Sequence, residues 1–574
     1  MSRSMREGAA HEALDRLAYL RGPEDEPGMP SDVQWDKTTL SVALRRCVAR
    51  WGDRELLVFP GRSLTGSAFA EEVSRLARGL MALGVGPGDN VAVWLANLPE
   101  YAVAEFALAA LGAAMVPINI RYKKDEVEFA LRQSDSSTLI FAPAVLKTDC
   151  VAVLREMCPE LGQQSDYILR STTLPQLKNV IVLGSNVAGA RSYDDVLRLG
   201  DSRTRAELDR REQEVRPESV LVLQYTSGTT AFPKAAMLTQ AQTLRNAYQM
   251  SCRAGFTDQD RLLSAMPMFH VGGSVCALLG AITIGYRLYM SPNVDAAETL
   301  RLIEEERITA YVGLEPMYLA MRNHEDFNRR SRKSLKKGWS AGTPAILRMV
   351  AQDIGIRNIC SLYGLSEASP NVCIAHWEKD PYEKRISTMG RPQAGTEVKV
   401  VDPASGQVAA REVRGEICVR GWTVMKGYYK NLAETSRVID AEGWLHTGDA
   451  GLITEDGYLV WTGRLKDTIR VGGENVSAVE VEHLLCTHPK IVTAVVVGVP
   501  DKRYQEVGLA YVQLKLGEQA TEDEMIEYCK QRLAVFKVPK HVRFVESFPT
   551  TGTGKVQKFM LRQQAIRDLE QSSK

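Results

Sequence analysis

The chain has 574 residues, 45% of them hydrophobic and 25% charged, with a formal net charge of +1. That length exceeds a single compact core and calls for several domains. The near-neutral balance excludes the basic field expected of a nucleic-acid-binding domain.

The N-terminus, MSRSMREGAAHEALDRL, carries charges throughout and has no apolar core of a secretory signal. Residues 1–36 hold the turn-rich run Gly22 to Gly28 and read as a loosely held arm. Helical spacing then runs through Ser67 to Leu83, followed by a turn and a short apolar strand, Asn90 to Leu95. A helix over Asn97 to Ala110 and a strand over Ala114 to Ile120 come next. The apolar stretch Tyr101 to Ile120 contains Glu105, Gly112 and Pro117, so it reads as a buried helix feeding a strand, not a membrane span. Strands at Ser136 to Phe141 and Val180 to Leu183 keep the rhythm, which implies βαβ units and a largely parallel sheet.

An apolar run, Ser219 to Gln224, reads as a buried strand and leads into Tyr225-Thr226-Ser227-Gly228-Thr229-Thr230-Ala231-Phe232-Pro233-Lys234. Hydroxyls and a bare glycine backbone can approach and donate to phosphate oxygens, and Lys234 adds a point charge. Pro233 and Ala235 flank the lysine, so this is not a Walker loop. By itself the stretch also reads as a polar surface turn.

Ala236 to Leu238 continue as a strand, and Thr239 with Gln242 forms a capping box for a helix over Ala241 to Met250. The strand Leu262 to Met266 ends in Pro267-Met268-Phe269-His270-Val271-Gly272-Gly273, before an apolar helix from Ser274. Ile308 to Val312 form another buried strand. Arg329, Arg330, Arg332, Lys333, Lys336 and Lys337 form a basic cluster, read as a solvated loop in preference to a site for anions. Past Pro392, short alternating strands read as a small β subdomain. The last ~110 residues read as an independent α+β unit.

The ten cysteines include no Cys-x-x-Cys pair. That argues against a structural zinc site or a disulfide framework and favours a reducing, cytoplasmic setting.

Four further stretches stand in order after the first: Tyr363-Gly364-Leu365-Ser366-Glu367, Trp444-Leu445-His446-Thr447-Gly448-Asp449, Gly463-Arg464-Leu465-Lys466-Asp467 running to Gly472-Gly473-Glu474-Asn475, and Pro549-Thr550-Thr551-Gly552-Thr553-Gly554-Lys555. Together they closely resemble the adenylate-forming (AMP-binding) superfamily, in its acyl-CoA synthetase and fatty-acid–CoA ligase branch, over nearly the whole chain beyond residue 36.

The resemblance implies an α/β fold: a large N-terminal domain of αβ layers plus a small β subdomain, over 37–463. A small mobile α+β C-terminal domain follows over 464–574, hinged near Lys466. It implies ATP, magnesium and coenzyme A as partners of a carboxylic acid. ATP would meet Thr226, Ser227, Gly228, Thr229, Thr230, Lys234, Ala341, Gly342, Thr343, Leu362, Tyr363, Gly364, Leu365, Ser366, Glu367, Asp449, Arg464 and Lys555. Within that set Lys555, Arg464, Glu367 and Lys234 are the catalytic candidates. Thr226 and Glu367 would serve magnesium, Asp449 the ribose hydroxyls, and Tyr363 would stack on adenine.

By the same resemblance, Gly472, Gly473 and Glu474 would face coenzyme A. His270 would gate the acyl pocket, with Gly272 and Gly273 leaving room behind it; a satisfied core histidine is the alternative reading. Lys466 is a hinge or an exposed linker lysine. Ala231 and Ala235 stand where the family usually has glycine, and alanine at a positive φ would cost on the order of 1 kcal/mol.

The activity implied is an acid–CoA ligase for a medium- or long-chain fatty acid. A ring-bearing or aromatic acid is the runner-up substrate, and a carrier-protein thiol the alternative acceptor. A non-catalytic nucleotide sensor is disfavoured by the retained charged residues. Peripheral membrane contact and a homodimer are left open.

Overall fold

The computed structural model describes residues 17–24, 34–163, 166–226, 233–471, 474–501, 503–550 and 556–572. Among these, a large N-terminal α/β domain is followed by a smaller α+β C-terminal domain.

The first sheet has seven strands in the order Arg191–Ser192, Asn179–Val182, Thr138–Phe141, Asn90–Trp94, Ala114–Pro117, Val220–Thr226 and Lys234–Thr239. All pair in parallel except the last two, which form an antiparallel pair. The expected βαβ rhythm is therefore present. The helix Pro99–Leu111 is buried on every face, which explains its unbroken apolar character despite Glu105.

A second sheet of nine strands runs from Arg391–Pro392 through Asn358–Gly364, Lys337–Ser340 and Ala310–Val312 to Glu55–Phe59 and Arg62–Thr65. One continuous apolar cluster takes residues from both sheets, including Val91, Leu223, Leu262 and Cys360. Parallel strands buried on both faces require this all-apolar texture.

The expected β subdomain is a five-stranded antiparallel sheet, Tyr19–Arg21, Thr396–Val401, Gly415–Gly421, Leu445–Ile453 and Leu459–Arg464. Its first strand corrects the reading of a loose arm. Tyr19 pairs with Lys399, and its hydroxyl reaches Glu397. The edge of Thr396–Val401 offers unpaired backbone groups, and a short polar segment suffices to fill them. The C-terminal sheet comprises Glu474–Ser477, Thr468–Val471, Gln505–Leu514 and Ile491–Asp501, with His541–Phe544 on Gln505–Leu514.

Three local expectations change. The strand expected to end at Gln224 continues to Thr226, and Lys234 opens the returning strand, paired with Thr226. Ala235 pairs with Tyr225 in that ladder and is not at positive φ, so the expected glycine penalty does not arise there. Ala231 lies outside the described residues. The helix expected from Ser274 begins as wider π-type turns over Gly272–Leu279, then tightens over Gly280–Ile284. By contrast, the Thr239–Gln242 capping box is present and starts the helix Gln240–Arg253.

No helix among the described residues is long and apolar enough to cross a membrane.

Candidate active site

A cleft of about 580 Å³ opens where the carboxyl ends of strands from both large sheets meet the β subdomain. Strand ends of an open α/β sheet are where ligands settle, because the loops there diverge. Of the residues singled out from sequence, Thr226, Lys234, His270, Gly364, Leu365, Ser366, Glu367, Asp449, Arg464 and Lys466 line it together. Gln557, from the C-terminal domain, lines it as well. Ser227, Gly228, Thr229, Thr230, Gly472, Gly473 and Lys555 lie outside the described residues. Ala341, Gly342, Thr343, Leu362 and Tyr363 are not on the cleft wall, and neither is Glu474, which is exposed at the start of its strand.

One wall of the cleft is built by an edge that sequence reading missed. The segment Lys426 to Tyr429 runs beside the strand Lys234–Thr239: Met237 N donates to Gly427 O, and Tyr429 N to Ala235 O at 2.8 Å. Tyr428 therefore lands beside Lys234, whose ammonium lies 5.4 Å from its ring centre. The Tyr428 hydroxyl donates to Glu367 Oε1 at 3.0 Å. Burial, reinforced by the Glu367 charge, raises the phenol's pKa, so it stays a donor.

The Tyr428 amide donates to Thr435 Oγ1, which ties in the short helix Leu432–Val438, capped by Asn431. That helix supplies Glu434, in direct ion pair with Lys234, and Arg437, which grips both oxygens of Glu434 at 2.6 and 2.9 Å. These bonds, Arg437 first and Lys234 next, pull the Glu434 carboxyl down to about 2.

The wall that carries Asp449 and Arg464 rests on the β subdomain. Gly448 has φ of 70°, a left-handed turn that glycine adopts without strain. The turn presents Asp449, which is paired in register with Arg464 and lies 3.6 Å from its Nε. Tyr363 is buried, and its hydroxyl donates to Asp449 Oδ2 at 2.8 Å. It braces the Asp449 carboxylate. Burial first, then the neighbouring Lys466–Arg464 repulsion, lowers the pKa of Lys466.

His270, on the cleft wall, is half-buried, with its Nδ1 accepting from Gly272 N at 3.3 Å. Gly272 and Gly273 do not leave space. A Cβ on Gly272 would sit 2.5 Å from Met266 Cε, and one on Gly273 only 2.4 Å from Pro267 O. The glycines let the chain pack against its own approach strand. Gln224 reaches Phe269 O at 3.3 Å and closes the wall beneath.

Glu416, Cys418 and His446 form the one cluster of potential metal donors among the described residues. They already satisfy one another: Glu416 meets His446 Nδ1 at 2.9 Å and accepts from Gly448 N at 3.0 Å. Burial pushes the Cys418 thiol up to about 12, so it is kept as a thiol. The basic cluster is internally neutralised in part. Arg330 pairs with Glu304, Arg329 with Asp326, and Lys337 with Asp260, all away from the cleft.

Two family models match the chain: AMP-binding enzyme over residues 44–429, and AMP-binding enzyme C-terminal domain over 480–555. The putative acyl-CoA synthetase YngI of Bacillus subtilis (strain 168) is 36% identical over 542 residues, covering 93% of this chain and 98% of its own. The mitochondrial medium-chain acyl-CoA ligase ACSF2 of Danio rerio is 34% identical, covering 96% of this chain and 91% of its own. The crystal structure of the anthranilate CoA ligase AuaEII with anthranoyl-AMP superposes with a TM-score of 0.83 at 25% identity, covering 94% of this chain and 99% of that one. With residues of four of the five motifs lining one cleft and both family models matched in order, the chain belongs to the AMP-binding enzyme family, in its acyl-CoA synthetase branch.

Proposed function

We propose that the protein is an AMP-forming acid–CoA ligase that activates a medium-chain fatty acid, with ATP and coenzyme A as co-substrates. The observation that carries this reading is the convergence of Thr226, Lys234, Glu367, Asp449 and Arg464 on one cleft that His270 also lines. The medium-chain assignment leans on the ACSF2 relative. Phe269, beside His270 on the cleft wall, offers an apolar surface that suits a hydrocarbon chain.

In the first half-reaction the acid's carboxylate oxygen attacks the α-phosphorus. The bond to the β-phosphate oxygen breaks, and pyrophosphate leaves. Lys234 meets the departing phosphates as a point charge, and Asp449 fixes the ribose. Lys555 stabilises charge on the α-phosphoryl oxygens; Gln557, two residues on, already lies in the cleft wall. In the second half-reaction the thiol of coenzyme A attacks the acyl carbonyl, and AMP leaves.

A carboxylate and a hydroxyl in one cleft, Glu367 and Thr226, are hard oxygen donors of the kind magnesium takes alongside substrate phosphates. When bound there, the ion would neutralise phosphate charge. Tyr428 orients the Glu367 carboxylate for it.

We place the hinge between 37–463 and 464–574 at Lys466, with Gly472, Gly473 and Glu474 serving the thioester step. All ten cysteines are free thiols, which suits the reducing cytoplasm we assign.

The experiment is pyrophosphate release across a panel of carboxylic acids, with and without coenzyme A. Fastest release and thioester formation with medium-chain acids is the expected result. Preference for ring-bearing acids would move the substrate class. Release without thioester would point to a carrier-protein acceptor, and no release with any acid would overturn the ligase reading.

A further inference from the structure

Three charged side chains on the phosphate wall form one linear network: Arg437, Glu434 and Lys234. Lys234 is the cation that a polyphosphate needs, yet its side chain is only 12% exposed, and Glu434, its partner, only 17%. Arg437 is the open end of the network, 66% exposed and on the cleft wall. A half-buried ion pair is held more firmly than a surface one, because neither water nor salt screens it fully. A phosphate group entering the cleft must therefore draw Lys234 away from Glu434.

We propose that Glu434 is a competing ligand for Lys234, one that exchanges with the β- and γ-phosphates and recaptures the lysine as pyrophosphate leaves. Arg437 is the positioning partner that sets how strongly Glu434 competes, since every bond it makes to Glu434 is one that Lys234 must share. No covalent step is involved: the lysine moves between two anionic partners.

The surroundings suit an exchange. Tyr428, packed against Lys234, gives its hydroxyl to Glu367 and not to Glu434, so the lysine can shift without breaking that bond. Glu434 sits in the first turn of Leu432–Val438, where its amide is held by Asn431 Oδ1 at 3.1 Å. Its backbone is thereby fixed while its side chain changes partner. Holding the lysine in this way limits the affinity for pyrophosphate as much as for ATP, which favours release of the product.

The proposal rests on the adenylating role above, and equilibrium binding separates the two. ATP and inorganic pyrophosphate are titrated into the full-length wild-type protein, Glu434→Gln and Arg437→Gln. Glu434→Gln keeps the side-chain shape and removes the charge. Its expected result is tighter binding of both, by about fivefold, equivalent to about 1 kcal/mol. Its pyrophosphate inhibition should strengthen by the same factor. Arg437→Gln releases Glu434 to hold Lys234 harder, so both affinities should weaken.

A residue that only supports the fold would weaken binding in both variants. Shifts in the same direction, or none, therefore overturn the proposal. If Glu434→Gln fails to fold, the exposed Arg437→Gln still decides, and an unchanged or tightened affinity there sinks the idea. A wild-type protein that binds no ATP would instead remove the functional reading itself.

Discussion

The Tyr363 hydroxyl donates to Asp449 Oδ2 at 2.8 Å, joining the end of the strand Asn358–Gly364 in the nine-stranded sheet to the strand Leu445–Ile453 of the β subdomain. Asp449 is itself almost buried, so its position depends on this donor and on Arg464 at 3.6 Å. Removing the hydroxyl by Tyr363→Phe leaves the ring's packing in place and strips one bond from a carboxylate. A bond to a charged acceptor contributes about 1.5–3 kcal/mol. ATP affinity should fall about tenfold or more as Asp449 loosens, while KM for the acid stays near wild type. Calorimetric titration of ATP measures the first, and steady-state kinetics the second. An unaltered ATP affinity would detach Tyr363 from the nucleotide site.

Gly273 packs where a Cβ would press on the backbone oxygens of Pro267 and Met266, at 2.4 and 2.6 Å. Neither can yield as a flexible side chain would. Gly273→Ala should therefore displace the turn that carries His270, at an overpacking cost of about 1–3 kcal/mol. The expected kinetic pattern is a raised KM for the acid with ATP binding preserved. Equal loss toward both substrates would place the disturbance elsewhere.

Lys555 is assigned to the α-phosphoryl oxygens. Loss of a preorganised charge at a transition state costs about 10²- to 10³-fold in rate. Lys555→Ala should lose adenylate formation to that extent or more and retain most of its ATP binding. Turnover at the wild-type rate would remove the lysine from the chemistry.

Glu105 gives a pH dependence to stability that is independent of the active site. It is 1% exposed within Pro99–Leu111, and its Oε2 and the hydroxyl of Tyr101 have no hydrogen-bond partner among the described residues. Burial raises its carboxyl from 4.5 to about 8. The folded protein thus keeps a proton that the unfolded chain releases once pH exceeds 4.5. Stability is complete below that value and falls as pH rises toward about 8, by up to about 1.4 kcal/mol per pH unit. Glu105→Gln should match wild type in urea unfolding at pH 5 and be more stable at pH 8. A pH-independent difference between the two would contradict the buried-acid account.

Much of the architecture was legible because local chemistry enforces it. Alternating apolar runs and amphipathic spacings yield strands and helices wherever they fall, as at Gly66–Ala82 and Asn90–Trp94. The Thr239–Gln242 box works through two short-range bonds that need no tertiary partner. The nucleotide motifs were legible because five short stretches stand in an order that resembles the adenylate-forming superfamily; one of them alone, Tyr225 to Lys234, also reads as a polar surface turn.

What the sequence could not supply is contact between residues far apart in the chain. Glu434 stands 200 positions from Lys234, and Tyr428 61 positions from Glu367. Neither carries a local pattern that sets it apart from a surface helix or loop. Only the pairing of Lys426 to Tyr429 along the strand Lys234–Thr239 brings them to the cleft.

The glycines and alanines divide in the same way. Gly272 and Gly273 suggested space, but backbone oxygens and Met266 fill it, because whether a missing Cβ leaves room depends on what packs against it. Ala235 suggested strain, and the ladder with Tyr225 holds it extended, where alanine is at ease. The sequence by itself determined the family, the order of the elements and some of the charged residues that gather at the cleft, among them Lys234, Glu367, Asp449 and Arg464. Tertiary structure alone decided which of those charges hold one another, because ion pairing is set by distance through space and not along the chain.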